Sequence, residues 1–159
     1  MTSSNPIRPG HQVEAQLSFA LYSAARRVAR LHKPLLDPLG LTFPQYLVML
    51  ELYSGTPRAV GDLGAKLSMD TGTITPLLKR LEAAGMVTRT RDVDDERRVL
   101  ISLTPSGEAL RDAVWTVAEK AASACQVSAE SMAQLRDSLD GLARYSGEEG
   151  AYPLRRKFV

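Results

Sequence analysis

Between residues 71 and 80 three short hydroxyls and two long cations, Thr71, Thr73, Thr75, Lys79 and Arg80, are interleaved with the apolar Leu77 and Leu78. Hydroxyls and cations are the groups that hydrogen-bond base edges and neutralise phosphates. A second cationic group follows closely: Arg89 and Arg91, then an acidic run from Asp92 to Glu96 that includes Asp95, then Arg97 and Arg98. For either group alone the ordinary explanation is a solvated helix face or a solvated turn. Together, a cation-bearing helix running into a cation-bearing tip forms a surface suited to contact with nucleic acid.

Other chemistries find little support. Only His11 and His32 offer imidazole, and no histidine pair has metal-ligand spacing. A nucleophile at Ser18 would need a base, and His32 has no clear third member to orient it. No Gly-rich phosphate loop is present, so we expect no enzyme, no cofactor and no metal. The single cysteine, Cys125, rules out an intramolecular disulfide and a Cys-rich zinc site, and in its alanine-rich setting AASACQV it reads first as a small apolar packing residue, with a redox role as the alternative. A net charge of +2 is too small for a global positive field, so affinity for an anionic partner must come from local placement. Cations also gather at Arg26, Arg27, Arg30 and Lys33. No apolar run approaches the ~20 residues of a membrane span, and MTSSNPIRPG lacks the layout of a secretory signal, so a cytoplasmic protein is expected.

The elements that must position these residues are mostly helical. Leu17, Ala20, Leu21, Ala24, Val28 and Leu31 recur at three and four residues, a long amphipathic helix that Pro34 should close or interrupt. Thr42 and Gln45 form a capping-box pattern ahead of an apolar helix that Gly55-Thr56-Pro57 ends. A short helix over 59–67 precedes one capped by Asp70, carrying Leu77, Leu78, Leu81 and Ala84 on its packing face and stopped by Gly85. Residues 86–91 and 99–103 read as two strands joined by the charged tip. Thr104 and Pro105 start the next helix, and Ser128 another. The expected fold is mainly α with a small β wing, a winged helix-turn-helix with N- and C-terminal dimerisation helices. Residues 1–11 form a loose arm, 12–36 and 105–145 the helical dimerisation region, 37–104 the DNA-binding domain and 146–159 a loose tail. The terminal helices are too apolar for the small lobe to cover, and a second copy of the chain is the simplest partner. A winged helix used only for protein assembly is the competing class, but its surface would show apolar anchors where this one shows threonines and cations.

The segments LTFPQYLVMLEL and LGAKLSMDTGTITPLLKRLEAAGMVTRTRDVDDERRVLISLTPSGEAL resemble MarR-family winged-helix repressors, over roughly residues 12–145. Within that family the helix containing LSFALY is most similar to the organic-hydroperoxide-sensing, OhrR-type branch. The resemblance implies a homodimer on a pseudo-palindromic operator in double-stranded DNA, probed by the helix from Thr71 to Ala84 in the major groove. It implies a hairpin along the minor groove, with Arg97 as the groove-inserting arginine, Asp95 as the acid that steadies it and Arg98 as a second contact. A repressor is the expected role.

The sensor residues depart from that branch. Peroxide-sensing relatives carry a reactive cysteine in the motif LCFALY, where this chain has Ser18. A hydroxyl has no counterpart to the thiolate's oxidation ladder. The two tyrosines those relatives aim at the sulfur correspond to His32 and Phe43, while Tyr22 is kept and Tyr46 stands nearby. A serine here is either an engineered replacement in a thiol-based, hydroperoxide-responsive repressor or a natural divergence. Three coordinated differences favour divergence. Ser18, Tyr22, His32, Phe43 and Tyr46 then become candidates for lining a pocket that takes a small-molecule effector, with His32 as a pH-responsive contact or simply a part-exposed helix-end residue.

Overall fold

The computed structural model of the protein describes residues 12–125 and 127–148. The expected arm 1–11 lies outside the described residues, as does 149–159 of the expected tail. After a 3-10 turn at Val13–Ala15, the order is α1 (Leu17–Leu36), a 3-10 turn (Asp37–Leu39), α2 (Phe43–Ser54), β1 (Arg58–Ala59), α3 (Val60–Lys66), α4 (Thr71–Ala83), β2 (Val87–Arg91), β3 (Val99–Leu103), α5 (Pro105–Ala109), α6 (Arg111–Ala124) and α7 (Ala129–Glu148). The chain divides into two compact units, one up to Ala121 and one from Ala122. α7 continues to Glu148, three residues into the stretch expected as tail.

Local signals account for most boundaries. Thr42 and Gln45 form the capping box reciprocally, with the Thr42 hydroxyl accepting from the Gln45 N–H and the Gln45 side chain accepting from the Thr42 N–H. Asp70 accepts from the Thr73 N–H at 2.7 Å, and Thr104 from the Gly107 N–H at 3.0 Å. Gly85, just past α4, takes the left-handed φ of +72° that a side chain would disfavour. Pro34, however, neither closes nor interrupts α1. It sits in the last turns, where both Pro34 and Arg30 are exposed, so water can serve the Arg30 carbonyl that proline cannot.

The sheet has the order β1-β3-β2, all antiparallel, with Arg58 opposite Ile101 and Arg89 also opposite Ile101 on the other side. The two-residue β1 has no counterpart in the sequence pattern. The core runs from Leu36 and Leu41 through Val48, Met49 and Leu52 of α2 to Leu63, Ile74, Leu78 and Leu81, and ends on Val87, Ile101, Val114 and Val117. The helix expected from Pro105 onward is broken at Leu110, where α5 gives way to α6.

A polar joint ties α2 to that break. The Tyr53 hydroxyl donates to the Gly107 carbonyl at 2.7 Å, and Arg111 donates to the Tyr53 carbonyl at 3.1 Å while pairing with Glu108 at 2.6 Å. The Arg111 guanidinium lies over both the Tyr53 ring, at 4.8 Å, and the Trp115 ring, at 5.4 Å. Burial pushes the Tyr53 phenol up to about 12, with Glu108 adding to the rise and Arg111 opposing it.

α1 buries little of itself. Of its twenty residues only His32 and Leu36 are buried, while Leu17, Leu21, Tyr22, Val28 and Leu31 stay exposed. In the second unit, α7 likewise leaves Leu135, Leu139 and Leu142 open.

Candidate nucleic-acid interface

α3 and α4 meet through a turn that a side chain would spoil. Gly64 is buried, its carbonyl accepts from the Met69 N–H at 2.8 Å, and a Cβ built on it would lie 2.8 Å from the Met69 carbonyl oxygen. Ser68 completes the turn with a left-handed φ of +53°. The result fixes which side of α4 faces inward. At about 100° per residue, Ile74, Leu77, Leu78 and Leu81 fall on one arc, and all four are buried.

The polar residues take the rest of the circumference. Thr71, Thr73, Lys79 and Arg80 are exposed and Thr75 is half-buried. Thr71, Thr75 and Lys79 form a stripe at four-residue spacing, with Thr73 and Arg80 on the adjoining side. Pro76 lies among them on the exposed face.

The wing tip is built by its acids. Asp92 accepts from the Asp94 N–H at 3.0 Å, Asp95 accepts from the Arg97 N–H at 3.0 Å, and the Asp92 N–H donates to the Arg98 carbonyl at 3.0 Å. Asp95 therefore steadies Arg97 through its main chain. An acidic run beside a cationic surface has a structural reason, since the carboxylates tie down backbone amides that the tip leaves without strand partners. Arg97 and Arg98 are exposed, as is Arg91. Arg89 turns inward: its side chain is 23% exposed, it reaches Glu82 of α4 at 3.6 Å, and its Nε is buried with no hydrogen-bond partner. The expected DNA contact at Arg89 is thus the least accessible of the cations.

Helix and wing face a common concavity of about 410 Å³, lined by Asp62, Thr71, Thr75, Arg89, Arg97 and Arg98 together with Ala59, Val60, Gly61 and Val99. Asp62, Ala59–Gly61 and Val99 are the lining residues sequence reasoning missed. Their proximity follows from β1 pairing with β3, a contact no local pattern announces.

A family profile of the transcriptional regulators SarA/Rot matches residues 30–114. The organic hydroperoxide resistance transcriptional regulator of Bacillus subtilis (strain 168) is 41% identical over 128 residues, covering 80% of this chain and 87% of its own length. A MarR-family transcriptional regulator from Rhodococcus sp. RHA1 superposes with a TM-score of 0.74 at 25% identity, over 83% of this chain and 95% of its own. The chain belongs to the MarR/SarA family of winged-helix transcriptional regulators. Another family member, AbfR of Staphylococcus epidermidis, matches in its reduced, DNA-bound structure with a TM-score of 0.71 at 32% identity, over 84% of this chain and 93% of its own. The winged-helix fold expected from the sequence is the family's fold.

The candidate sensor residues divide into two groups. His32, Phe43 and Tyr46 come together, with the His32 ring 4.8 Å from Phe43 and 5.4 Å from Tyr46 and its Nδ1 2.8 Å from the Val28 carbonyl. His32 is buried, which corrects the expectation of a part-exposed helix-end residue: the α1–α2 packing closes two aromatic rings over it. Burial also pushes the Tyr46 phenol up. Ser18 and Tyr22 are exposed one turn apart near the other end of α1, where the Tyr22 hydroxyl accepts from Arg26 at 2.7 Å. Along the helix Ser18 is about 20 Å from His32, so one chain does not bring the two groups together. Cys125 is a free, half-buried thiol at the end of α6. Among the described residues no cluster of His, Cys, Asp and Glu could hold a metal ion, and no helix is long and apolar enough to cross a membrane.

Proposed function

We propose that the protein is a homodimeric transcriptional repressor that binds a pseudo-palindromic site in double-stranded DNA. α4 enters the major groove, where Thr71, Thr73, Thr75, Lys79 and Arg80 meet base edges and phosphates, and the β2–β3 tip follows the minor groove with Arg97 inserted. The observation that carries this is the single concavity shared by α4 threonines and wing arginines, which fits a groove wall bordered by phosphates. Arg91 and Arg98 extend the cationic rim. Arg89, paired with Glu82, holds the wing against α4.

The open apolar face of α1 supports the dimer. Leu17, Leu21, Val28 and Leu31 are too many to leave in water on one helix, and a second copy covers them and sets the spacing of the two α4 helices. A palindrome presents its half-sites about one helical turn apart, so a small-molecule effector acts by favouring one spacing over another. Peroxide chemistry has no thiol at Ser18 to start from. The His32, Phe43 and Tyr46 cluster serves instead as a packed wall of any effector pocket.

A gel shift with a duplex from the gene's own upstream region tests the proposal. Retarded complexes holding two chains per duplex are expected, and charge reversal at Lys79 and Arg80 should abolish them. Retardation insensitive to that reversal overturns the assignment of α4.

A further inference from the structure

The concavity between α3, α4 and the wing contains one carboxylate. Asp62, in the first turn of α3, accepts from the Arg98 guanidinium at 3.2 Å across the gap. The other polar side chains lining the space are hydroxyls and guanidiniums: Thr71, Thr75, Arg89 and Arg97. This is the donor set that holds a tetrahedral oxyanion, and about 410 Å³ is ample for a phosphate group with water around it. Among the described residues, Asp62 supplies the only anion lining it.

The pair is built to come apart. Its single contact is longer than the ~2.7–2.9 Å of a tight guanidinium–carboxylate bond, and the Arg98 and Asp62 side chains are 49% and 66% exposed. A one-point, solvated pair adds little rigidity. Arg98 is not needed to shape the tip by its side chain, because its main chain already closes the turn with Asp92 and Asp95.

We propose that Asp62 is an internal stand-in for a DNA backbone phosphate, holding Arg98 across the phosphate seat until a strand displaces it. The inference rests on the proposed DNA interface and adds its regulation: the carboxylate weakens every encounter by the same electrostatic amount, so loose binding to arbitrary DNA is suppressed. Without it the interface would carry one more net positive charge and meet no repulsion at that phosphate.

The test measures fluorescence anisotropy with two labelled duplexes of ~30 base pairs, about three helical turns, one from the upstream region and one of unrelated sequence. Asp62→Asn keeps the side-chain size, and Asp62→Ser is a second variant that retains a helix-start residue. Asp112→Asn, on α6, removes an acid outside the concavity. With the concavity acid removed, binding to both duplexes should tighten about three- to tenfold at low salt, and the plot of log affinity against log salt should steepen by about one. Asp112→Asn should change neither. The stand-in is overturned if wild-type protein binds DNA and both Asp62 variants bind equally or more weakly, which would make Asp62 a brace for Arg98. An equal gain from Asp112→Asn overturns it too, as a generic charge effect. If the wild type and every variant fail to bind either duplex, the interface itself is wrong and the stand-in falls with it.

Discussion

Replacing Tyr53 with Phe removes one hydroxyl from the joint between α2 and the α5–α6 break, and the size of the effect follows from what remains. The Gly107 carbonyl loses its 2.7 Å donor but still accepts from the Leu110 N–H at 3.3 Å, so it is not left orphaned. The cost is therefore the net worth of one hydrogen bond, about 1 kcal/mol, and not the ~3 kcal/mol of an unsatisfied buried acceptor. The ring stays beneath Arg111 and packing is unchanged. With a urea dependence of ~1–3 kcal/mol per molar, the unfolding midpoint should fall by ~0.3–1 M. Trp115, the single tryptophan, stacks on Arg111 and reports the joint by fluorescence at fixed protein concentration. The penalty should also depend on pH. The Tyr53 phenol is raised from 10.0 to about 12 in the folded chain, so its stabilisation is complete below the unfolded value and is lost as pH climbs through the folded one. Phe has no such loss, so the penalty should shrink between pH 10 and 12. A cost above ~3 kcal/mol at neutral pH, or one that grows with alkalinity, would refute the reasoning.

Further outcomes follow from the same geometry. Gly64→Ala drives a methyl into the Met69 carbonyl, and should cost about 1–3 kcal/mol in thermal melts and weaken DNA binding by opening the α3–α4 turn. Arg97→Ala should weaken binding to related and unrelated duplexes alike and make the salt dependence shallower by about one in log–log slope. Leu21→Glu, on the open face of α1, should halve the mass in sedimentation while circular dichroism stays helical. An unchanged mass would place the dimer contact elsewhere. Treatment with a low dose of cumene hydroperoxide should leave the DNA complex intact, because Ser18 has no thiolate to oxidise; full release would contradict this.

Where a boundary is encoded within a few residues, the sequence and the fold agree. Thr42 with Gln45, Asp70, Thr104 with Pro105, and the left-handed Gly85 each satisfy groups one turn away, so their patterns suffice. Features set by distant partners were not readable. β1 exists because Ile101 and Leu100 pair with Arg58 and Ala59, and that pairing carries Asp62 to Arg98. His32 is buried by Phe43 and Tyr46 from the next helix, which the cations beside it in the sequence, Arg30 and Lys33, concealed. Pro34 marked a helix end by its chemistry, but α1 passes through it at a solvent-exposed position. In the proposed interface, residue types single out Thr71, Thr73, Lys79, Arg80 and Arg97, all of which the fold leaves exposed. They gave no sign that Arg89 faces inward or that Asp95 acts on a main-chain amide, since both depend on side-chain direction.

The salt dependence of binding to the upstream duplex tests the proposed interface most directly. Affinity should fall linearly in log–log form as salt rises, and alanine at Lys79 or Arg80 should reduce that slope by about one for each phosphate left without its cation. A salt-independent complex, or a slope that neither substitution changes, would contradict the assignment of α4 and the wing to DNA.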